Sequence, residues 1–304
     1  MSLKSIAFRI DTKHKVLILF ELNDKRLVVY SDDKIIRIYK KSLSLEYCIK
    51  DINSLIKSMI QTKDEKLICC SYEITIIKLY KTHYEIIQVI KNWTNKIIEL
   101  ININENNINN DLLALQNNYI RVYNFSEKSH LYNSNYEYNF KDNVNNLIYL
   151  KNNDYAIILD DYFKNISLKI FNLELKQIKM NLYNIKTKDS GDMYILNNKY
   201  LIVSLYLYLI LVDIQDEYKI SNIIKTSFGC VNSFCAGQNN IFFSGDDIGD
   251  LIEWKIENNK IIKVKEYNCS KKEINSIIKY NKNSWIATGS NDGIIKFYET
   301  DYII

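Results

Sequence analysis

A five-residue pattern returns seven times along the chain, and its spacing decides what the chain can fold into. The copies are Ile35-Ile36-Arg37-Ile38-Tyr39, Ile76-Ile77-Lys78-Leu79-Tyr80, Tyr119-Ile120-Arg121-Val122-Tyr123 and Ser167-Leu168-Lys169-Ile170-Phe171. They continue with Tyr208-Leu209-Ile210-Leu211-Val212, Asp250-Leu251-Ile252-Glu253-Trp254 and Ile294-Ile295-Lys296-Phe297-Tyr298. The closing positions are separated by 41, 43, 48, 41, 42 and 44 residues. A basic residue stands two before the closing residue in copies one to four and seven. That alternation has the period of a β-strand, with a long cation wetting one face.

Each closing strand follows another apolar run, at residues 26–30, 66–70, 111–115, 155–159, 200–205, 240–244 and 285–288. Further strand-like runs flank these pairs, such as 15–20 before and 44–49 after the first. About four strands per repeat, at a period in the low forties, predict an all-β, seven-bladed β-propeller of four-stranded antiparallel blades. The best-formed repeat is the last, 284–299, where Asn291-Asp292-Gly293 reads as a tight turn because these residues tolerate φ > 0. This seventh repeat lacks its outer strand, and the unassigned residues 3–10 can supply it. The ring would then be closed by the N-terminal strand joining the last blade, removing the sheet edges there. On this reading residues 1–304 form a single domain. The links between first and second strands are Asn-rich and predict solvated turns.

With these motifs in view, the chain resembles the Trp-Asp (WD) repeat propeller family in divergent form. The resemblance covers the whole chain by period, with good motifs in repeats one, six and seven. The family places an Asp in the turn six residues before the terminal Trp. Asp33 and Asp292 fill that slot here, Asn117 and Asn165 fill it in repeats three and four, and Ile74, Tyr206 and Ile248 replace it elsewhere. The Trp survives only as Trp254, and the family's Gly-His pair is absent. The resemblance implies that Asp33 and Asp292 cap their turns, and that packing and ladder hydrogen bonds replace an incomplete side-chain network.

Composition excludes several functions. A balance of 40 Lys plus Arg against 36 Asp plus Glu gives +4, too weak for a nucleic-acid-binding face. The thirteen uncharged residues at 200–212 fall short of the roughly 20 that a membrane-spanning helix needs. Residues 1–10 hold no long apolar run, so no secretory leader is read. The six cysteines include no C-x-x-C pair and read as buried reduced thiols of an intracellular, cytoplasmic or nuclear, protein. His14, His83 and His130 have no metal-ligand spacing, and no G-x-S-x-G, G-x-G-x-x-G or G-K-[ST] motif occurs. The acids of residues 245–250 and Asp160-Asp161 read as solvated turns. No catalytic residue, cofactor or metal is expected, and the chain does not read as an enzyme.

Binding is better supported. By analogy with the family, the turns between second and third strands share one rim with the links between blades. That rim holds Tyr162, Phe163, Tyr206, Tyr208 and Phe228 across repeats four to six, with Trp93 between repeats two and three. Exposed aromatics of this kind dominate protein interfaces. Lys186, Lys188, Lys225, Lys271 and Lys272 make the rim weakly basic, suited to an acidic or phosphorylated partner. The expected function is a non-catalytic protein-interaction scaffold or adaptor within a larger assembly. The alternative is a phosphoinositide-binding propeller. Such propellers carry Phe-Arg-Arg-Gly between blades five and six, where this chain has Thr226-Ser227-Phe228-Gly229 and no arginine pair.

Overall fold

The computed structural model describes residues 6–52, 54–91, 97–102, 111–126, 131–151, 153–161, 165–186, 191–226, 229–280 and 285–299. These contain 28 strands and no helix. The strands form seven four-stranded antiparallel sheets, the blades of a seven-bladed β-propeller.

The chain divides into two compact units, one of residues 1–52 and 189–304 and the other of residues 53–188. In the first unit, blade one is β2 (Val16–Glu21), β3 (Leu27–Ser31), β4 (Ile36–Tyr39) and β5 (Leu45–Ile49). Blade five is β18 (Met193–Leu196), β19 (Tyr200–Leu205), β20 (Tyr208–Asp213) and β21 (Lys219–Lys225). Blade six is β22 (Val231–Ala236), β23 (Ile241–Asp246), β24 (Asp250–Glu257) and β25 (Lys260–Asn268). Blade seven is β26 (Ile274–Tyr280), β27 (Trp285–Ser290), β28 (Ile294–Glu299) and the N-terminal β1 (Ile6–Asp11). The N-terminal strand therefore completes the last blade, pairing Arg9 with Lys296 and Asp11 with Ile294.

The second unit holds blade two, β6 (Ser58–Gln61), β7 (Lys66–Cys70), β8 (Ile74–Leu79) and β9 (Tyr84–Ile90). Blade three is β10 (Ile97–Asn102), β11 (Leu112–Gln116), β12 (Tyr119–Ser126) and β13 (Leu131–Asn139). Blade four is β14 (Asn143–Lys151), β15 (Asp154–Asp160), β16 (Asn165–Asn172) and β17 (Gln177–Lys186).

The second strand of each blade is buried on both faces, because successive side chains point to opposite sides of the sheet. Phe242 enters one core cluster with Leu196, Ile202, Leu211 and Trp254. Its neighbour Phe243 enters the next, with Leu251, Ile274 and Ile286. In the second unit Leu112 packs with Ile68 and Ile76, while Leu113 packs with Ile157 and Phe171. These strands therefore read as continuous apolar runs rather than alternating ones. Each fully buried Phe or Ile contributes about 1.5–3 kcal/mol relative to leaving it in water.

The fourth strands are the wet edges. In every blade the pairing of third and fourth strands contains a register shift, as between Ile38 and Tyr39 or between Glu253 and Trp254. Such bulges increase the local twist and blunt the edge.

Candidate partner-binding rim

The rim is built by a recurring clasp. In each case a main-chain or hydroxyl bond ties the turn between second and third strands to a link between blades. In the first unit, Thr226 N donates to Leu207 O at 2.7 Å, Asp247 N to Cys230 O at 3.1 Å and Thr12 N to Gly293 O at 2.9 Å. Ser270 Oγ donates to Asp292 Oδ2 at 2.9 Å. In the second unit, Ile97 N donates to Ser71 O and Phe140 N to Asn118 O. The clasps satisfy the polar backbone of the turns and leave their tips to solvent.

Asp33 and Asp292 each sit in such a turn. Asp33 accepts the Ile35 N–H at 3.2 Å and two bonds from the Arg37 guanidinium, one of them from Nη1 at 3.1 Å. His14 Nε2 lies 3.6 Å from its carboxylate. Burial pushes the Asp33 carboxyl up, but the Arg37 and Ile35 bonds outweigh it and hold the group below the usual carboxylate range. Asp292 accepts the Ile294 N–H at 3.0 Å and the hydroxyls of Ser290 and Ser270. It too is held low, its hydroxyl and backbone bonds outweighing burial.

Blade six solves the same problem differently. Ile248 occupies the slot where the resemblance places Asp, but Asp246 supplies the cap from the end of β23. Its Oδ1 accepts Gly249 N at 2.9 Å and Asp250 N at 2.8 Å. Spacing placed Ile74 in the turn of blade two; that turn is only Ser71-Tyr72-Glu73, and Ile74 is the buried first residue of β8.

Of the six aromatics expected on the rim, Trp93, Tyr162, Phe163 and Phe228 lie outside the described residues. Tyr206 and Tyr208 flank one turn. Leu205 pairs with Tyr208, so Tyr206 and Leu207 are the two central residues of a tight hairpin. Tyr206 has φ of 52° and is 40% exposed; Tyr208 is half-buried. A bulky residue in the left-handed region is strained, as Leu43 and Tyr218 also are in their turns; Tyr206 differs from these two in being exposed. Ile248, on the turn of blade six, is 52% exposed. Both positions carry an apolar residue where the resemblance places an acid, and that substitution is the sequence signal that singles out Ile248. Lys225, Lys271 and Lys272 are exposed on the same unit, as is Asp247.

Among the described residues no three His, Cys, Asp or Glu side chains converge on a metal position. No helix of the described residues is long and apolar enough to cross a membrane.

No protein-family model matches the chain, and no curated protein matches its sequence. Solved structures do match. One titled "Structure of U3-55K" superposes with a TM-score of 0.74, covering 97% of this chain and 99% of that chain at 10% identity. The chain is thus a seven-bladed β-propeller whose likeness to that structure is one of fold.

Proposed function

We propose that the chain is a non-catalytic interaction scaffold, a divergent WD-repeat-like propeller that forms one domain and docks other proteins on the rim of its second-to-third-strand turns. The observation that carries this reading is Tyr206, an aromatic held exposed at positive φ where Gly would sit without strain and Asn or Asp with less. The exposed Ile248 on the neighbouring blade's turn extends the surface, and the lysines nearby suit an acidic partner. The six free cysteines favour a reducing, cytoplasmic or nuclear, compartment.

The test is affinity purification of the tagged chain from its native cells, followed by mass spectrometry. Stoichiometric partners captured by the parent, and lost from the Tyr206→Ser/Ile248→Ser variant with unchanged thermal unfolding, support the reading. Partners retained by that variant would remove the rim assignment.

A further inference from the structure

The rim end of blade six gathers three carboxyls on one sheet face. Ser244 of β23 pairs with Ile252 of β24, and Ile252 pairs with Glu266 of β25. Asp246 lies two residues beyond Ser244, and Asp250 two before Ile252, so both share the face of these residues. That face is turned to blade five, where Ile252 packs with Leu209 and Leu211. Asp246, Asp250 and Glu266 therefore form one column at the turn that presents Ile248, which is 52% exposed.

Two of the three carboxyls are shut away from water, Asp246 at 1% and Asp250 at 6% exposure. Asp246 Oδ1 closes the turn on the Gly249 and Asp250 N–H groups, but Asp246 Oδ2 and Asp250 Oδ1 are buried with no hydrogen-bond partner. Burial of this kind penalises the charged form. The surroundings do not offset it. Asp247 adds like charge in the turn, and Glu266 does so from β25. Lys263 is the cation on this face of β25, and it is bonded to Glu266. Blade five brings Leu209 and Ile224, while Lys225 follows Ile224 and points the other way. The flanking links add Cys230, the buried Cys269 and the exposed Lys271 and Lys272, and Glu273 is held by Asn232 and Asn291. Burial first, with the charges of Asp250 and Asp247, raises the Asp246 carboxyl to about 6; burial and then Glu266 raise that of Asp250.

We infer that this column is a proton-operated latch: the turn presenting Ile248 is closed while Asp246 and Asp250 hold protons, and it loosens when they release them to solvent. Opening the turn returns both carboxyls to water and to their ordinary range. Ionisation therefore favours the open turn, and the closed turn is favoured as pH falls. The latch lies at the base of the turn, so it sets how firmly Ile248 is held on the rim. The inference concerns the turn itself and stands whether or not a partner docks there.

The test is hydrogen exchange of the Gly249 and Asp250 amides in the full chain, each normalised to its unprotected rate. Protection should fall ~10-fold between pH 5 and pH 8, the change expected when a carboxyl raised to about 6 returns to its ordinary value on opening. The Ile35 and Ile294 amides are the internal reference, because Asp33 and Asp292 cap them with carboxyls held low. Their protection should stay level over the same range. Asp246→Asn and Asp250→Asn should each reduce the fall, and the double variant should abolish it. The carboxyl carbon shift of Asp246, followed in the parent chain, gives a second reading that needs no variant, with a midpoint near 6 expected. Protection that does not change with pH, an equal fall at Ile35 and Ile294, a fall that persists in the double variant, or an Asp246 midpoint in the ordinary carboxylate range overturns the proposal.

Discussion

Trp254 donates its indole N–H to the hydroxyl of Ser244 at 2.8 Å, inside the core between blades five and six. Phe242 stacks beside the indole with ring centroids 6.2 Å apart. The bond spans two strands of one blade and satisfies two groups that water cannot reach, since Trp254 is 2% and Ser244 0% exposed. Trp254→Phe should cost about 2–3 kcal/mol, from lost volume and from an orphaned Ser244 hydroxyl. Ser244→Ala should cost about 1–2 kcal/mol, because it orphans the indole N–H. The double variant should cost about 1 kcal/mol less than the sum, since each single change already removes the shared bond. Urea unfolding of the three variants measures this, and full additivity would show that the bond carries no net energy.

Glu273 is the centre of a second polar device. Its Oε1 accepts Asn232 Nδ2 and its Oε2 accepts Asn291 Nδ2, both at 2.7 Å. Asn291 in turn accepts from Asn275, whose amide also donates to Val16 O at 2.6 Å. The chain of bonds links blades six, seven and one within the first unit. Glu273→Gln places an amide nitrogen opposite one of the two Asn donors, and Asn291 cannot flip without losing Asn275. A loss of about 1 kcal/mol is expected for Gln and about 2 kcal/mol for Ala, measured by chemical denaturation.

The strand plan was legible because burial itself imposes it. A blade's second strand must be apolar on both faces, and residues 200–205, expected as one apolar run, form β19 as Tyr200–Leu205. The period located the third strands and the closure of the last blade by β1. Turn chemistry was less visible, since a carboxylate can cap a turn from more than one position. Asp246 does so from two residues before the slot that Ile248 fills. The Glu273 network left no local trace, because its members come from separate segments and Asn is abundant throughout the chain.

The Asp246 cap makes stability pH-dependent. The residue is 1% exposed; Oδ1 holds two backbone N–H groups while Oδ2 has no hydrogen-bond partner. Burial first, and then the charges of Asp250 and Asp247, push its carboxyl up to about 6 against the two backbone bonds. A folded-state value above the unfolded one means that the native state holds the proton more tightly. The contribution is fully present below about pH 4 and is lost as pH rises through about 6. Asp246→Asn keeps an oxygen for the backbone donors and removes the charge. It should raise stability at pH 8 by about 1–3 kcal/mol and flatten this part of the profile between about pH 4 and 6. Asp33 and Asp292 act in the opposite sense, because their folded-state carboxyls are held low and their contribution falls as acid protonates them. Urea unfolding at pH 5 and pH 8 separates the two; an unchanged Asp246→Asn profile would remove the buried-charge account.

Tyr206 sets local stability against exposure of an aromatic. Its φ of 52° costs an L-residue with a large side chain about 1–2 kcal/mol, a penalty that Gly does not carry and Asn carries less. Its side chain is 40% exposed, so its packing offsets only part of the strain in the isolated chain. Tyr206→Gly should therefore raise stability by about 1 kcal/mol, allowing for the larger backbone entropy of Gly in the unfolded state. Tyr206→Asn should be neutral to mildly stabilising. If the ring is there to meet a partner, both variants should capture less of it while unfolding at equal or higher temperature. Stability and capture moving in opposite directions is the signature of a strained functional residue. Loss of both together would show that Tyr206 only covers its own hairpin.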